Sequence, residues 1–338
     1  MKNVAVVGLG YFSQFHLAAW AKQPGIRLVA VADTDAVLAD EIAAEYGVSG
    51  YADVDELVQE SAPDIIDLVV PPSAHAGLIR GLLKPGLVVI CQKPFCTSLA
   101  EAEAIVAEAE AANTALIIHE NFRFQPWYRE IKSFLDSGRM GRVYSARFAL
   151  RPGDGRGADA YLARQPSFQK MQRFLVQETA VHLLDVFRWL FGPVSHIYAD
   201  LRQLNPVIAG EDAGQMILSH ETGVQTVFDG NRLADHVAEN TRKTMGEMVI
   251  EGEGGTLSLN GDGALFFREF GRQDAVPVTV SEPVDDTQFG GGCVAALIAH
   301  VVDGSPLENT GRDYLEVIRL CEAAYRSDAE GRRIGLRD

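Results

Sequence analysis

The first third of the chain alternates short aliphatic runs with helix-like stretches, and no other feature constrains the fold as much. The runs are NVAVV (3–7), RLVAVA (27–32), IIDLVV (65–70), LVVIC (87–91) and ALIIHE (115–120). Continuous rather than alternating aliphatics mark strands covered on both faces, as in parallel sheets. Between them GLGYFSQFHLAAW passes from a glycine turn into a helix, and residues 36–46 read as a helix stopped by Gly47. PPSAHAGLIRGLL turns into another helix, and 98–112, rich in alanine and glutamate, is a surface helix. The expectation is an α/β domain with a doubly wound parallel sheet over residues 1–120.

From residue 121 the pattern changes. Helices are expected at 127–137, 183–191 and 311–329, and strands at 143–150, 196–204, 214–228, 246–252 and 255–259, several joined by glycine-containing turns. Residues 121–338 therefore read as an α+β domain with a large, mostly antiparallel open sheet. Such a sheet needs cover. Leu265, Phe266, Phe267 and Phe270 offer apolar material either for a homodimer or homotetramer face or for an edge strand and core.

A chain of 338 residues suits two cores, and its formal net charge of −16 repels phosphate backbones and anionic lipid. Nucleic acid and membrane are poor partners on that ground, and no apolar run reaches the roughly 18 residues of a membrane span. Four cysteines (Cys91, Cys96, Cys293, Cys321) form neither a disulfide framework nor a zinc pattern, which suits a reducing cytoplasm.

GLGYFS (8–13) is G-x-G-x-x-S after the first strand and before a helix, with Asp33 ending the second strand. Gly8 permits the tight turn, Gly10 lets backbone approach a pyrophosphate, and the helix start at Tyr11 and Phe12 offers N–H groups to its charge. Asp33 would accept from both ribose hydroxyls and repel a 2′-phosphate, which favours NAD over NADP. At the next strand end, VVPPSAH places Pro71, Ser73 and His75 either along the cofactor or, for His75, as a helix cap. The glycine run at 290–292 lies on no such strand and reads as a turn opening a helix near Cys293.

ICQKPF (90–95) ends a buried strand with Lys93 and Pro94. The lysine either snorkels at the rim or serves a ligand, since burying its charge idly is costly. In FLVQETAVHLLDVFRWLFG (174–192), Glu178 and His182 stand four apart and would share one helix face, the carboxylate orienting the imidazole. Asp185 either joins that face or caps locally. A metal reading lacks a third ligand, so none is expected. RPGDGRGADAYLARQP (151–166) reads as a flexible substrate loop or an ordinary surface excursion. Arg123, Arg151 and Arg164 could hold a polyol or carboxylate, and Arg123 could instead brace the domain junction.

Taken together, GLGYFS, VADTD, VPPSAH, QKP, ENFRFQP (120–126), LDSGRMGRVYSARF (135–148), ETAVHLLD (178–185), IEGEGGTLSL (250–259) and EAAYRSDAEGRR (322–333) resemble the Gfo/Idh/MocA oxidoreductase family over nearly the whole length. The resemblance implies a Rossmann domain, an open-sheet C-terminal domain, and hydride transfer between a nicotinamide and a sugar or polyol hydroxyl. It places the family's E-K-P lysine on Lys93, its D-x-x-x-H pair on Glu178 and His182, and its asparagine after the sixth strand on Asn121. In the family the lysine–proline bond is cis, and Gln92 would meet the cofactor. His182 would take the hydroxyl proton while Lys93 holds the same oxygen.

Three departures stand out. Gln92 replaces a glutamate, Glu178 replaces an aspartate, and ARQPSFQKMQRF lacks the family's glycines and tryptophan, so the substrate mouth should be reshaped. ENFRFQPW and ARQP look similar to members that oxidise small aldoses to lactones. Two rivals share the family pattern: an NAD-recycling glycosidase and a sensor of sugar and NAD without turnover. Retention of lysine, acid and histidine together argues against the sensor.

Overall fold

A computed structural model describes residues 1–280 and 293–336, so the glycine run at 290–292 lies outside the described residues. The chain forms two compact units, one of residues 1–121 with 294–316, the other of 122–293 with 317–338.

The first unit runs β1 (Lys2–Val7), α1 (Ser13–Lys22), β2 (Ile26–Ala32), α2 (Ala36–Tyr46), β3 (Ser49–Tyr51), α3 (Val54–Ser61), β4 (Ile65–Leu68), α4 (Pro72–Leu82), β5 (Val88–Gln92), α5 (Leu99–Ala111) and β6 (Ala115–His119). Its sheet is parallel, in the order β3-β2-β1-β4-β5-β6. All four β4 residues are buried, as an aliphatic run covered on both faces requires. The expected doubly wound sheet is present, and the short β3 and α3 add to what the aliphatic runs indicated.

Local chemistry sets the helix ends. The Asp35 carboxylate accepts from the Val37 and Leu38 N–H groups, and Gly47 ends α2 at φ 66°. Ser98 accepts from Glu101 N–H while the Glu101 carboxylate reaches back to Thr97, closing the start of α5 reciprocally.

The second unit contains α6 (Pro126–Asp136), β7 (Val143–Leu150), α7 (Val181–Phe191), β8 (Val194–Arg202), β9 (Ala213–His220), β10 (Gln225–Asn231), β11 (Gly246–Gly252), β12 (Gly255–Leu259), β13 (Leu265–Glu269) and β14 (Val276–Val278). The chain continues through α8 (Cys293–Val302) and α9 (Gly311–Glu330) to β15 (Ile334–Gly335). The nine strands form one sheet, β14-β13-β12-β11-β7-β10-β9-β8-β15, antiparallel except for the β7–β10 pair. Register lines Met248, Phe148, Phe228 and Met216 in a buried row across four strands. The opposite face exposes Tyr198 and Ile217. Leu265 and Phe267 are buried in β13, near one edge, and Phe270 just beyond is exposed, so most of that apolar stretch is strand and core.

Sequence reading placed all of 121–338 together, whereas residues 294–316 group with the first unit. Ile117 bridges Thr310, Ile118 N–H donates to Asn309 C=O, and the Asn309 amide donates to Glu120 C=O. These contacts cover β6, an edge of the parallel sheet. Such long-range pairing has no local sequence pattern.

Candidate active site

The cofactor residues expected from sequence sit at the carboxyl ends of neighbouring parallel strands. Gly8 to Phe12 follow β1, Asp33 follows β2, Pro71 to His75 follow β4, Gln92 ends β5 with Lys93 beyond it, and Asn121 follows β6. Strand order reverses between β1 and β4, and ligands of open α/β sheets bind at such a switch point.

The two glycines have different physical reasons. Gly8 has φ +90°, and a Cβ there would stand 2.5 Å from Val69 O. The fold itself needs that glycine, because β1 and β4 exit almost in contact. At Gly10 a Cβ would meet nothing within 4 Å, so the protein fold imposes no such limit. An occupant lying against the backbone would impose one, as a pyrophosphate does. Ser13, buried in place of the third glycine, donates its hydroxyl to Gly10 C=O at 2.7 Å and closes the turn. Phe12 starts α1 with no side-chain cap, and Tyr11 is exposed. Asp33 is half-buried and accepts from Leu9 N–H at 2.8 Å and Asp35 N–H at 3.0 Å, tying the glycine turn to the end of β2. With Asp35 close behind it, this strand end is anionic and suits ribose hydroxyls rather than a further phosphate. These features fit NAD.

His75, open in sequence between the cofactor and a helix cap, has backbone partners on both ring nitrogens. It is fully buried, its Nε2 lies 2.9 Å from Val70 C=O, and its Nδ1 accepts from Cys96 N–H. Burial lowers its pKa, which keeps the ring neutral and matches one donor and one acceptor nitrogen. It is a strut joining the turn before α4 to the loop after β5, and its buried ring is not a lining surface. Pro71 and Ser73 are exposed.

Lys93 is half-buried, and the Lys93–Pro94 peptide is cis, as the resemblance implied. Gln92 is buried; its Oε1 accepts from Lys93 N–H at 2.7 Å and its Nε2 lies 3.3 Å from His16 Nε2. Behind it lies a polar cluster that sequence reading did not pick out. Asp67, fully buried in β4, accepts at one oxygen from His16 Nδ1 and Trp20 Nε1, each at 2.7 Å. Burial works against the Asp67 carboxylate, while the N–H donors of His16 and Trp20 favour its charged form, and its pKa lies below the ordinary value. The acid inside IIDLVV was the available signal.

In the second unit, the segment expected to be a continuous helix begins with a π turn, Leu175–Ala180, before α7. π turns concentrate at functional sites. Glu178 lies half-buried in that turn and His182, buried, in the first turn of α7. Glu211 caps the segment by accepting from Phe174 and Val176 N–H groups, both at 3.1 Å, and from Tyr325 O–H at 2.6 Å. Phe122 stacks on His182, with ring centroids 4.0 Å apart and planes 5° apart. Neither Glu211 nor Phe122 carried a sequence signal strong enough to be singled out.

The three arginines expected at the substrate have protein partners. Arg123 is buried in a bidentate pair with Asp185, which is itself fully buried, so both serve as scaffold for α7. Arg151 donates to Asp229 and to the Leu150 and Asp229 carbonyls. Arg164 lies 3.5 Å from Asp154. The 151–166 loop is not a loose excursion. Buried Arg232 donates to Asp154, Tyr161 and Thr179, and Asn205 donates to Gly155 and Gly157 carbonyls. Arg232 thus links the loop to the residue beside Glu178. Among the described residues no His, Cys, Asp and Glu group could hold a metal ion, and no helix is long and apolar enough to cross a membrane.

Comparison with known proteins agrees with this arrangement. Residues 2–120 match the NAD-binding Rossmann fold of the Gfo/Idh/MocA oxidoreductases, and residues 128–258 match the Gfo/Idh/MocA C-terminal domain. A D-apiose dehydrogenase of Paraburkholderia graminis is 31% identical over 98% of this chain and 89% of its own length. A D-apiose dehydrogenase of Rhizobium rhizogenes is 29% identical over 98% and 96%. A crystal structure of an oxidoreductase from Agrobacterium radiobacter, in complex with NAD+, L-tartaric acid and magnesium, superimposes with a TM-score of 0.88 at 26% identity, covering 99% of this chain and 98% of that one. The glycine turn, the lysine at the end of β5 and these end-to-end matches make the chain a member of the Gfo/Idh/MocA oxidoreductase family.

Proposed function

We propose that the protein is an NAD-dependent dehydrogenase that oxidises a sugar or polyol hydroxyl, with a small aldose going to its lactone as the favoured case. One observation carries the reading: Lys93 leaves the carboxyl end of β5, in the same sheet whose β1 end forms the open Gly10 turn. The relatives named above that carry an activity in their names are dehydrogenases, which favours net oxidation over the glycosidase and sensor alternatives.

NAD, when bound, supplies the hydride acceptor. Gly8 to Phe12 hold its pyrophosphate, Asp33 its ribose, and Asn121 the nicotinamide end. His182 takes the proton of the hydroxyl being oxidised. Glu178 orients that imidazole, and Phe122 fixes the plane of the ring. Lys93 donates a hydrogen bond to the same oxygen, which stabilises negative charge as the proton leaves. General-base help of this kind is worth roughly 10²–10⁴ in rate.

The test follows NADH formation from NAD+ with a panel of free aldoses and polyols, beside Lys93→Met and His182→Ala. Turnover on one sugar, lost in both variants, supports the reading. Absence of NADH with every sugar, despite NAD+ binding by calorimetry, would overturn it.

A further inference from the structure

The buried polar cluster behind β5 has a definite direction. Lys93 N–H donates to Gln92, so the atom that faces it must be the amide oxygen. The Gln92 amide nitrogen therefore faces His16 and donates to Nε2, which must carry a lone pair. The single ring proton then sits on Nδ1 and donates to Asp67. Every link from Asp67 through His16 and Gln92 to the Lys93 main chain has one donor and one acceptor.

The surroundings reinforce this protonation pattern. The buried His119 ring lies against His16 with centroids 4.2 Å apart, and Phe12 packs edge-on with centroids 5.5 Å apart. Both His119 nitrogens lack a hydrogen-bond partner, so that ring stays neutral and offers His16 no acceptor. Trp20 occupies the same Asp67 oxygen as His16 and fixes the carboxylate. A glutamate at position 92 would aim a carboxylate oxygen at the His16 lone pair, and this array would hold together only with a second proton on the ring. Glutamine needs none.

We propose that Asp67 and His16 are positioning residues that act through Gln92 to fix the Lys93 main chain and so aim its side chain, with Gln92 selected to match a singly protonated His16. The proposal rests on the reading of Lys93 as the residue that holds the reacting hydroxyl. It also connects two strand ends, because His16 stands on α1 directly after the glycine turn. The cofactor turn and the lysine are thereby set by one hydrogen-bonded array inside the first unit.

The test uses the intact enzyme labelled with ¹⁵N-histidine. Long-range ¹H–¹⁵N spectra should show His16 protonated at Nδ1 and bare at Nε2. Gln92→Glu should convert it to the doubly protonated ring and displace the pH profile of kcat. His16→Asn keeps a donor for Asp67 and cuts the link to Gln92. It should lower kcat about tenfold or more while leaving KM for NAD+ within about twofold, as misplacement of a reacting group does. A wild-type ring protonated at Nε2 or at both nitrogens overturns the proposal. So does His16→Asn with undiminished kcat. Full activity in Lys93→Met beside a ring bare at Nε2 refutes the lysine's role and with it the positioning role, while leaving the hydrogen-bond direction correct.

Discussion

Phe122 lies flat against the imidazole of His182, 4.0 Å between centroids and 5° from parallel. The next residue, Arg123, grips Asp185 one helical turn further along α7. Two consecutive side chains of a short helical turn, Phe122–Phe124, thus set both the plane of the proposed base and the helix that carries it.

Phe122→Ala should therefore separate positioning from binding. Loss of the buried ring costs about 3–5 kcal/mol of stability and should lower kcat more than it raises KM for NAD+. Phe122→Tyr keeps the stacked plane and should retain most of kcat. Steady-state kinetics and urea unfolding of both variants check this.

Arg123→Met should leave Asp185 buried without its cation, at a cost of about 3–5 kcal/mol. Arg123→Met with Asp185→Leu should recover much of that loss, since an apolar pair can replace a buried ion pair. A double-mutant cycle by denaturant unfolding measures the coupling. A substrate contact through Arg123 would instead appear as a higher KM for the sugar in a fully stable protein.

The two glycines of the first turn should fail in different ways. Gly8→Ala forces a Cβ to 2.5 Å from Val69 O at a positive φ, so it should lower the melting temperature of the apoprotein. Gly10→Ala meets no protein atom within 4 Å and should leave that temperature unchanged while weakening NAD+ binding. Thermal melts with and without NAD+ distinguish them.

Asp33→Asn keeps an oxygen for Leu9 N–H and removes the charge. Preference for NAD+ over NADP+, read as the ratio of kcat/KM values, should fall about tenfold or more.

His119 governs behaviour in acid. Its pKa falls to about 3, first because the ring is buried and second because His16 is close. The unfolded chain takes up that proton near pH 6.5 and the folded chain does not, so stability complete above about pH 6.5 is lost progressively as pH falls towards about 3. His119→Phe should flatten this dependence and shift acid unfolding to lower pH, as followed by circular dichroism.

Much of this was legible because it is local. Continuous aliphatic runs specify buried parallel strands, and Gly47, Ser98 and the two glycines around Leu9 punctuate them by backbone chemistry alone. Lys93 and the Glu178/His182 pair stood out as charged or polar groups at the edge of apolar patterns. What escaped was set by partners far along the chain. Arg123 stood open between a ligand contact and a brace until Asp185 occupied its fork, and His75 between the cofactor and a helix cap until both ring nitrogens found backbone partners. Arg232 looked like any arginine after a strand, although it ties down a loop that glycine content suggested was loose. The π turn was hidden because its residues are as apolar and helix-compatible as those of α7.

The contact of Asn309 and Thr310 with β6 has a consequence for the order of events at the ribosome. The nucleotide-binding sheet is complete in sequence by His119, yet the segment that covers its β6 edge is translated only after β7 to β14 of the other unit's large sheet. An edge left unpaired invites other strands. The nascent first unit therefore waits with one flank open for most of translation, and premature termination between His119 and Asn309 would release an NAD-binding fold with that flank exposed.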